Sequence, residues 1–148
     1  MTSKEKKEYL SRYRIDDGRI NDLLREKDAI RSRLESMTAS YSGMPHGSGY
    51  ETDKLTSGVA KLIELDKEID KRVDELVDFR REIEAHIAEL HDPVLERVLT
   101  LRYIDGFSWS RIHVEMAADG STFGAAERWI YRIHGKALTK LKVDSKCQ

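Results

Sequence analysis

Residues 54–90 read KLTSGVAKLIELDKEIDKRVDELVDFRREIEAHIAEL. Within them Leu55, Val59, Leu62, Asp66, Ile69, Val73, Leu76, Arg80, Ile83, Ile87 and Leu90 follow alternating spacings of four and three. That is the period of an α-helix carrying one apolar stripe, sustained for about five heptads with Asp66 and Arg80 as polar interruptions. Ile63, Val77 and Phe79 widen the stripe in places. At 1.5 Å rise per residue such a helix is ~55 Å long.

Upstream, a second helical stripe runs from about Ser3 to Met37. Tyr9, Tyr13, Ile20, Leu23, Ile30, Leu34 and Met37 fall on it, with Asp16 and Lys27 in the same row. Gly18 weakens this helix by roughly 1 kcal/mol relative to alanine. Between the two stripes, Thr38–Asp53 is rich in glycine, serine and proline and reads as a long loop. Two amphipathic helices joined by one loop form an antiparallel hairpin; pairing with a second copy is the alternative. The polar residues in the stripes favour the hairpin. Folding near His46 brings Lys27 towards Asp66 and Asp16 towards Arg80, opposite charges in each pair and one approximate register for both.

Downstream, His91-Asp92-Pro93 ends the stripe. Asp92 is an N-cap with Pro93 at the first helical position. Val94, Val98, Leu101 and Tyr103 belong to a short helix that stops at Asp105-Gly106. Ser108 caps the next, with Trp109, Ile112 and Met116 as its apolar contacts. A polar turn, Ala118–Gly124, leads to a last helix from about Gly124 to Leu141. One face carries Ala126, Ile130, Ile133, Ala137 and Leu141; the other carries Arg128, Tyr131, Arg132, Gly135, Lys136 and Thr139. The expected fold is all-α: a long antiparallel helical hairpin, a coiled-coil-like stalk, over residues 1–91 with its loop at 38–53, then a compact three-helix helix-turn-helix domain over 92–148.

The chain holds 26 Lys+Arg against 27 Asp+Glu, so its net charge of -1 does not itself point to nucleic acid. The distribution does. Between Gly124 and Lys142 there are five basic residues, Arg128, Arg132, Lys136, Lys140 and Lys142, against the single acid Glu127. A short helix, a turn and a longer basic helix suit a major groove: the start of the second helix meets base edges while flanking cations hold phosphates. Arg128 and Arg132 are the candidate base or phosphate contacts, since arginine can bond guanine twice. Lys136, Lys140 and, from the preceding helix, Arg111 are candidate phosphate neutralisers. Tyr131 is read equally as a base or sugar contact and as a packing residue. Trp129 and Trp109 are read as structural.

Other chemistries find little support. Cys147 is the lone cysteine, unable to form an internal disulfide or a cysteine zinc site. His46, His86, His91, His113 and His134 lack metal-ligand spacing, and His134 falls near the core side of its helix, where a structural hydrogen bond is expected. There is no phosphate loop, nucleophile elbow or Walker-type lysine. The expectation is a non-enzymatic protein without cofactor or metal. No apolar run reaches the ~20 residues of a membrane span, and Met1–Lys7 is polar and basic, unlike a secretion signal. Both observations point to the cytoplasm.

Val98-Leu99-Thr100-Leu101-Arg102-Tyr103-Ile104-Asp105-Gly106-Phe107-Ser108-Trp109-Ser110-Arg111-Ile112 resembles the opening of sigma factor region 4. Ile130-Tyr131-Arg132-Ile133-His134-Gly135-Lys136-Ala137-Leu138-Thr139-Lys140-Leu141 resembles its recognition helix and the tail beyond. The stripes and the loop Tyr41-Ser42-Gly43-Met44-Pro45-His46-Gly47 look like small phage and prophage proteins, grouped with the ArpU/RinA-type regulators of late phage genes. The resemblance implies a transcriptional regulator that binds double-stranded promoter DNA, with host RNA polymerase as a further partner and a homo-oligomer as a possible state. Nothing resembles sigma region 2. Between Met116 and Glu127 this chain is several residues longer than the family pattern, which bears on how Ser121, Thr122 and Ala125 meet DNA. Two other classes fit the same residues: a small-terminase-like DNA-packaging subunit, and an adaptor that grips polymerase or a repressor.

Overall fold

The computed structural model describes residues 1–41, 49–120 and 126–143. Helix α1 spans Ser3–Tyr41, α2 Gly49–Ala88, α3 Pro93–Leu99, α4 Trp109–Ala118 and α5 Glu127–Lys140. A π-helical turn, Thr100–Ile104, follows α3 directly. No strand occurs among the described residues, so the fold is all-α. The chain divides into two compact units: Met1–Ile15 with Leu76–Gln148, and Asp16–Glu75.

In the second unit, Asp16–Glu75, α1 and α2 run antiparallel. Lys27 Nζ bonds Asp66 Oδ1, as the charge pattern anticipates, and Lys61 Nζ lies 3.0 Å from Glu26 Oε1. Ile20, Ile30, Leu65 and Ile69 are its buried apolar residues, flanked by half-buried Leu23, Leu34, Met37 and Leu62. The α1 row is the one expected. The α2 row is not: Val59 and Val73 are exposed, and the seam runs through Gly58, Leu62, Leu65, Ile69 and Arg72. The physical reason sits at Gly58. A Cβ there would lie 2.6 Å from Leu34 Cδ2, so α1 leans against the side of α2 one residue before Val59. Arg72 keeps its stem in the seam while its guanidinium bonds Glu68 Oε1 at 2.9 and 3.0 Å.

The expected loop is shorter than its composition indicates. Residues 38–41 continue α1 and Gly49–Asp53 open α2. Thr38 Oγ1 donates to the Glu35 carbonyl at 2.9 Å, satisfying its hydroxyl within the preceding turn. Residues 42–48 lie outside the described residues.

The other unit begins with the end of α2. His91, at φ 49°, is in the left-handed region and ends the helix. Asp92 then caps α3 as expected, its Oδ1 accepting from Val94 N–H at 3.2 Å and Leu95 N–H at 3.3 Å. Glu96 Oε1 reciprocates by accepting from Asp92 N–H at 3.1 Å. The helix expected to run straight to Asp105 widens at Thr100, where Asp105 N–H reaches back to the Thr100 carbonyl at 3.0 Å. Ser108 caps α4 by accepting from Arg111 N–H at 3.3 Å. Helix α5 starts at Glu127 rather than Gly124, with Ala126 as an N-cap that has no side-chain bond and is exposed rather than on the core face.

Two cores hold this unit. Val98, Leu101, Ile112, Met116 and Ile130 join α3, the π turn, α4 and α5. The larger core adds Leu10 and Tyr13 from α1 and Ile83, Ile87 and Leu90 from α2 to Leu95, Leu99, Tyr103, Ile104, Ala137, Leu138 and Leu141. Leu10 is 0% exposed. Lys6 Nζ donates to the Leu138 carbonyl at 2.8 Å, and the Tyr9 hydroxyl bonds Glu82 Oε1. The C-terminal helices therefore share their core with the first turns of α1, which the 91/92 boundary drawn from sequence leaves out.

Candidate nucleic-acid interface

Helix α5 is built with two faces because its apolar residues recur at helical spacing. Ile130, His134, Ala137 and Leu138 are buried; Arg128, Tyr131, Arg132, Lys136 and Lys140 are exposed. Arg128, Arg132, Lys136 and Lys140 are four residues apart and line one edge of the helix. None of the four forms an ion pair among the described residues, whereas Arg97 pairs with Asp119 at 3.3 Å and Arg111 with Glu115 at 3.7 Å. The acid of this helix, Glu127, is engaged locally: Ser110 Oγ donates to its Oε1 at 3.2 Å.

Tyr131 packs and is exposed at once. Its ring lies 5.0 Å from that of Trp109, yet it remains 48% exposed. Arg111 is exposed but held, its guanidinium 4.0 Å from the Phe107 ring centroid as well as beside Glu115. It stands apart from the α5 row as the candidate already committed within the protein. Trp129 is half-buried against the smaller core, and Trp109 packs there too, matching their structural reading. Ser121, Thr122 and Ala125 lie outside the described residues.

Behind the exposed face, His134 is buried at 6% exposure, and its Nε2 hydrogen-bonds the Tyr103 hydroxyl at 2.9 Å. Burial, with Lys7 and Arg102 nearby, pushes His134 down to about 4 from its ordinary 6.5. Burial raises Tyr103 above its ordinary 10, against the opposing charge of Arg102. At neutral pH both groups are uncharged and serve the core. No group of three or more potential metal ligands occurs among the described residues.

Sequence reasoning missed three cations that the fold gathers elsewhere in this unit: Lys7, Arg14 and Arg102 line one cleft with Ser11, Tyr103, Gly106, Trp109 and His134. Part of the signal was visible. Lys7, Ser11 and Arg14 are spaced i, i+4, i+7 on α1 and so share a face. Where that face lands depends on long-range packing, which no local pattern reports.

These features define an all-helical protein with a basic, exposed C-terminal helix, in which no described helix is long and apolar enough to cross a membrane. The chain belongs to the family described as "Protein of unknown function (DUF1492)", whose model matches residues 47–140, from just before α2 to the end of α5. No curated protein and no solved structure matches the chain significantly.

Proposed function

We propose that this protein is a sequence-specific double-stranded DNA-binding transcriptional regulator, of the phage and prophage sigma-like type, that reads the major groove with α5. The observation that carries the reading is the row Arg128, Arg132, Lys136 and Lys140, exposed on α5 beside Tyr131. Cations in a row on a helix that follows a short helix and a turn match the charge and curvature of a groove edge. The likeness of residues 98–112 and 130–141 to sigma factor region 4 supports the same assignment. Arg128 and Arg132 contact bases or adjacent phosphates, Tyr131 offers its exposed edge, and Lys136 and Lys140 supply sequence-independent affinity. Host RNA polymerase is the further partner.

Charge reversal at Arg128 and Arg132 together is the test. Both side chains are exposed, so thermal stability should shift by only about 0.5 kcal/mol. Specific DNA binding, measured by gel shift on fragments selected from a random library, should be lost. Retained specific binding by the folded double variant removes α5 as the reader.

A second reading is a small-terminase-like packaging subunit that assembles through its helices. It draws on Val59, Ile63 and Val73, exposed apolar residues on α2 within the Asp16–Glu75 unit. Ring assemblies seen by light scattering, with preference for a packaging site over promoters, would favour it over regulation.

A further inference from the structure

We propose that the cleft lined by Lys7, Ser11, Arg14, Arg102 and His134 is a phosphate-binding site, separate from the exposed row of α5. The cleft measures about 480 Å³ and draws on four elements: α1, the π turn and the bend after it, the start of α4, and α5. Three of its lining residues are permanent cations at neutral pH, and none is a carboxylate. A concavity lined by basic groups raises the local concentration of anions.

Of the three cations, Arg102 is held in place by the protein. Arg102 donates from Nη1 to the Phe107 carbonyl at 2.9 Å, and its guanidinium carbon lies 4.5 Å from the Trp109 ring centroid. Arg14 crosses above Gly106, which has φ +71°. The positive φ calls for glycine; a Cβ there would stand 2.4 Å from the guanidinium carbon of Arg14, which the flexible arginine could relieve by shifting its tip. Ser11 and the Tyr103–His134 pair supply hydroxyl and ring groups along the wall. His134 is neutral, so the charge of the cleft comes from Lys7, Arg14 and Arg102.

The chemistry favours phosphate over a flat organic ligand. Guanidinium forks and an ammonium match the tetrahedral oxygens of a phosphate monoester or diester. Both aromatic side chains in the wall, Tyr103 and Trp109, are already occupied, Tyr103 by the ring of His134 at 5.8 Å. Trp109 is contacted by Arg102, by Tyr131 at 5.0 Å and by His134 at 4.8 Å. It closes the cleft instead of offering a face for base stacking. The phosphate has two possible sources, a free nucleotide or the backbone of bound DNA, and the cleft recognises the group common to both.

The test uses the full chain in a low-salt, phosphate-free buffer. Inorganic phosphate and adenosine 5′-monophosphate are titrated by calorimetry, and the His134 ring signals are followed by NMR. Saturable binding at one site is expected, with the His134 titration moving upward because the bound anion offsets Lys7 and Arg102. Lys7→Gln and Arg14→Gln should each weaken binding on the order of tenfold while circular dichroism shows the fold retained. Displacement of inorganic phosphate by duplex DNA, with a shallower salt dependence of DNA binding in both variants, assigns the phosphate to the DNA backbone. Simultaneous binding of adenosine monophosphate and DNA assigns it to a free ligand. No saturable phosphate binding, together with unchanged DNA affinity and salt slope in the folded variants, overturns the proposal. The Arg128/Arg132 double reversal separates the two readings, since it should abolish specific DNA binding and leave phosphate binding intact.

Discussion

The two compact units solve the same problem, holding α1 against α2, by different means. Among the described residues of Asp16–Glu75 only Ile20, Ile30, Leu65 and Ile69 are buried, and the ion pairs Lys27–Asp66 and Lys61–Glu26 lie along the seam. In the unit of Met1–Ile15 and Leu76–Gln148, the helix ends are sealed into cores with α3, the π turn and α5, and Leu10 and Ile83 are fully buried. Apolar volume on several sides fixes one unit; a thin apolar seam with exposed ion pairs along it holds the other. Two helices alone have no third surface to exclude water from a seam, so exposed pairs of modest worth carry more of the specificity there.

The sharpest way to break this contrast is to cut the chain. A fragment of residues 92–148, the helix-turn-helix domain expected from sequence, loses Leu10, Tyr13, Ile83, Ile87 and Leu90 from its larger core. Each buried side chain of this size contributes about 1.5–3 kcal/mol, against a typical total stability of about 5–15 kcal/mol. The fragment should lack a cooperative thermal transition and bind a hydrophobic dye; a cooperative melt would show that the C-terminal helices are autonomous.

Point substitutions come next. Ile112→Ala, at a site with no exposure, should lower stability by about 4 kcal/mol. Ile69→Ala, on the thin seam, should cost about half as much because water and neighbouring side chains fill the gap. Chemical denaturation measures both. Equal costs would mean that the seam of Asp16–Glu75 is packed as tightly as a core.

Acid separates the units further. The unfolded chain takes up a proton on His134 near pH 6.5, whereas the folded chain resists until about 4. The unfolded state thus binds more protons between those values. The stability contributed by the neutral ring is complete above pH 6.5 and is lost as the pH falls towards 4, up to about 3 kcal/mol. His134→Gln should remove that part of the slope, read from denaturant melts between pH 7 and 4. A slope identical to the unsubstituted protein would show that His134 is not the titrating group.

The smallest effect belongs to the exposed seam. Lys27→Glu should cost about 1 kcal/mol, with most of it restored by adding Asp66→Lys. Absence of rescue in this double-mutant cycle would remove the pair as a register device.

Local signals in the sequence were reliable where the physics is local. Every residue of the α1 row from Tyr9 to Met37 is at least half-buried, Asp92 and Ser108 cap their helices, and His134 makes its buried hydrogen bond. The exposed row of α5 follows from spacing alone. The α2 row was half legible. Its column at Leu62, Ile69, Leu76, Ile83 and Leu90 is covered, but the companion column shifts by one residue around Gly58, a detail that depends on how closely Leu34 approaches. Arg111 could be recognised as exposed, not as already engaged with Phe107 and Glu115. The π turn and the cleft of Lys7, Arg14 and Arg102 arise from contacts across most of the chain, and spacing carries no record of those.

The bond from Lys6 Nζ to the Leu138 carbonyl joins residues 132 positions apart. Leu10 and Tyr13 share one core with Ala137, Leu138 and Leu141, so that core closes only when contacts of very high sequence separation form. Closing that core joins the first turns of α1 to α5 through contacts that are slow to form, and the exposed basic row of α5 takes its place with it.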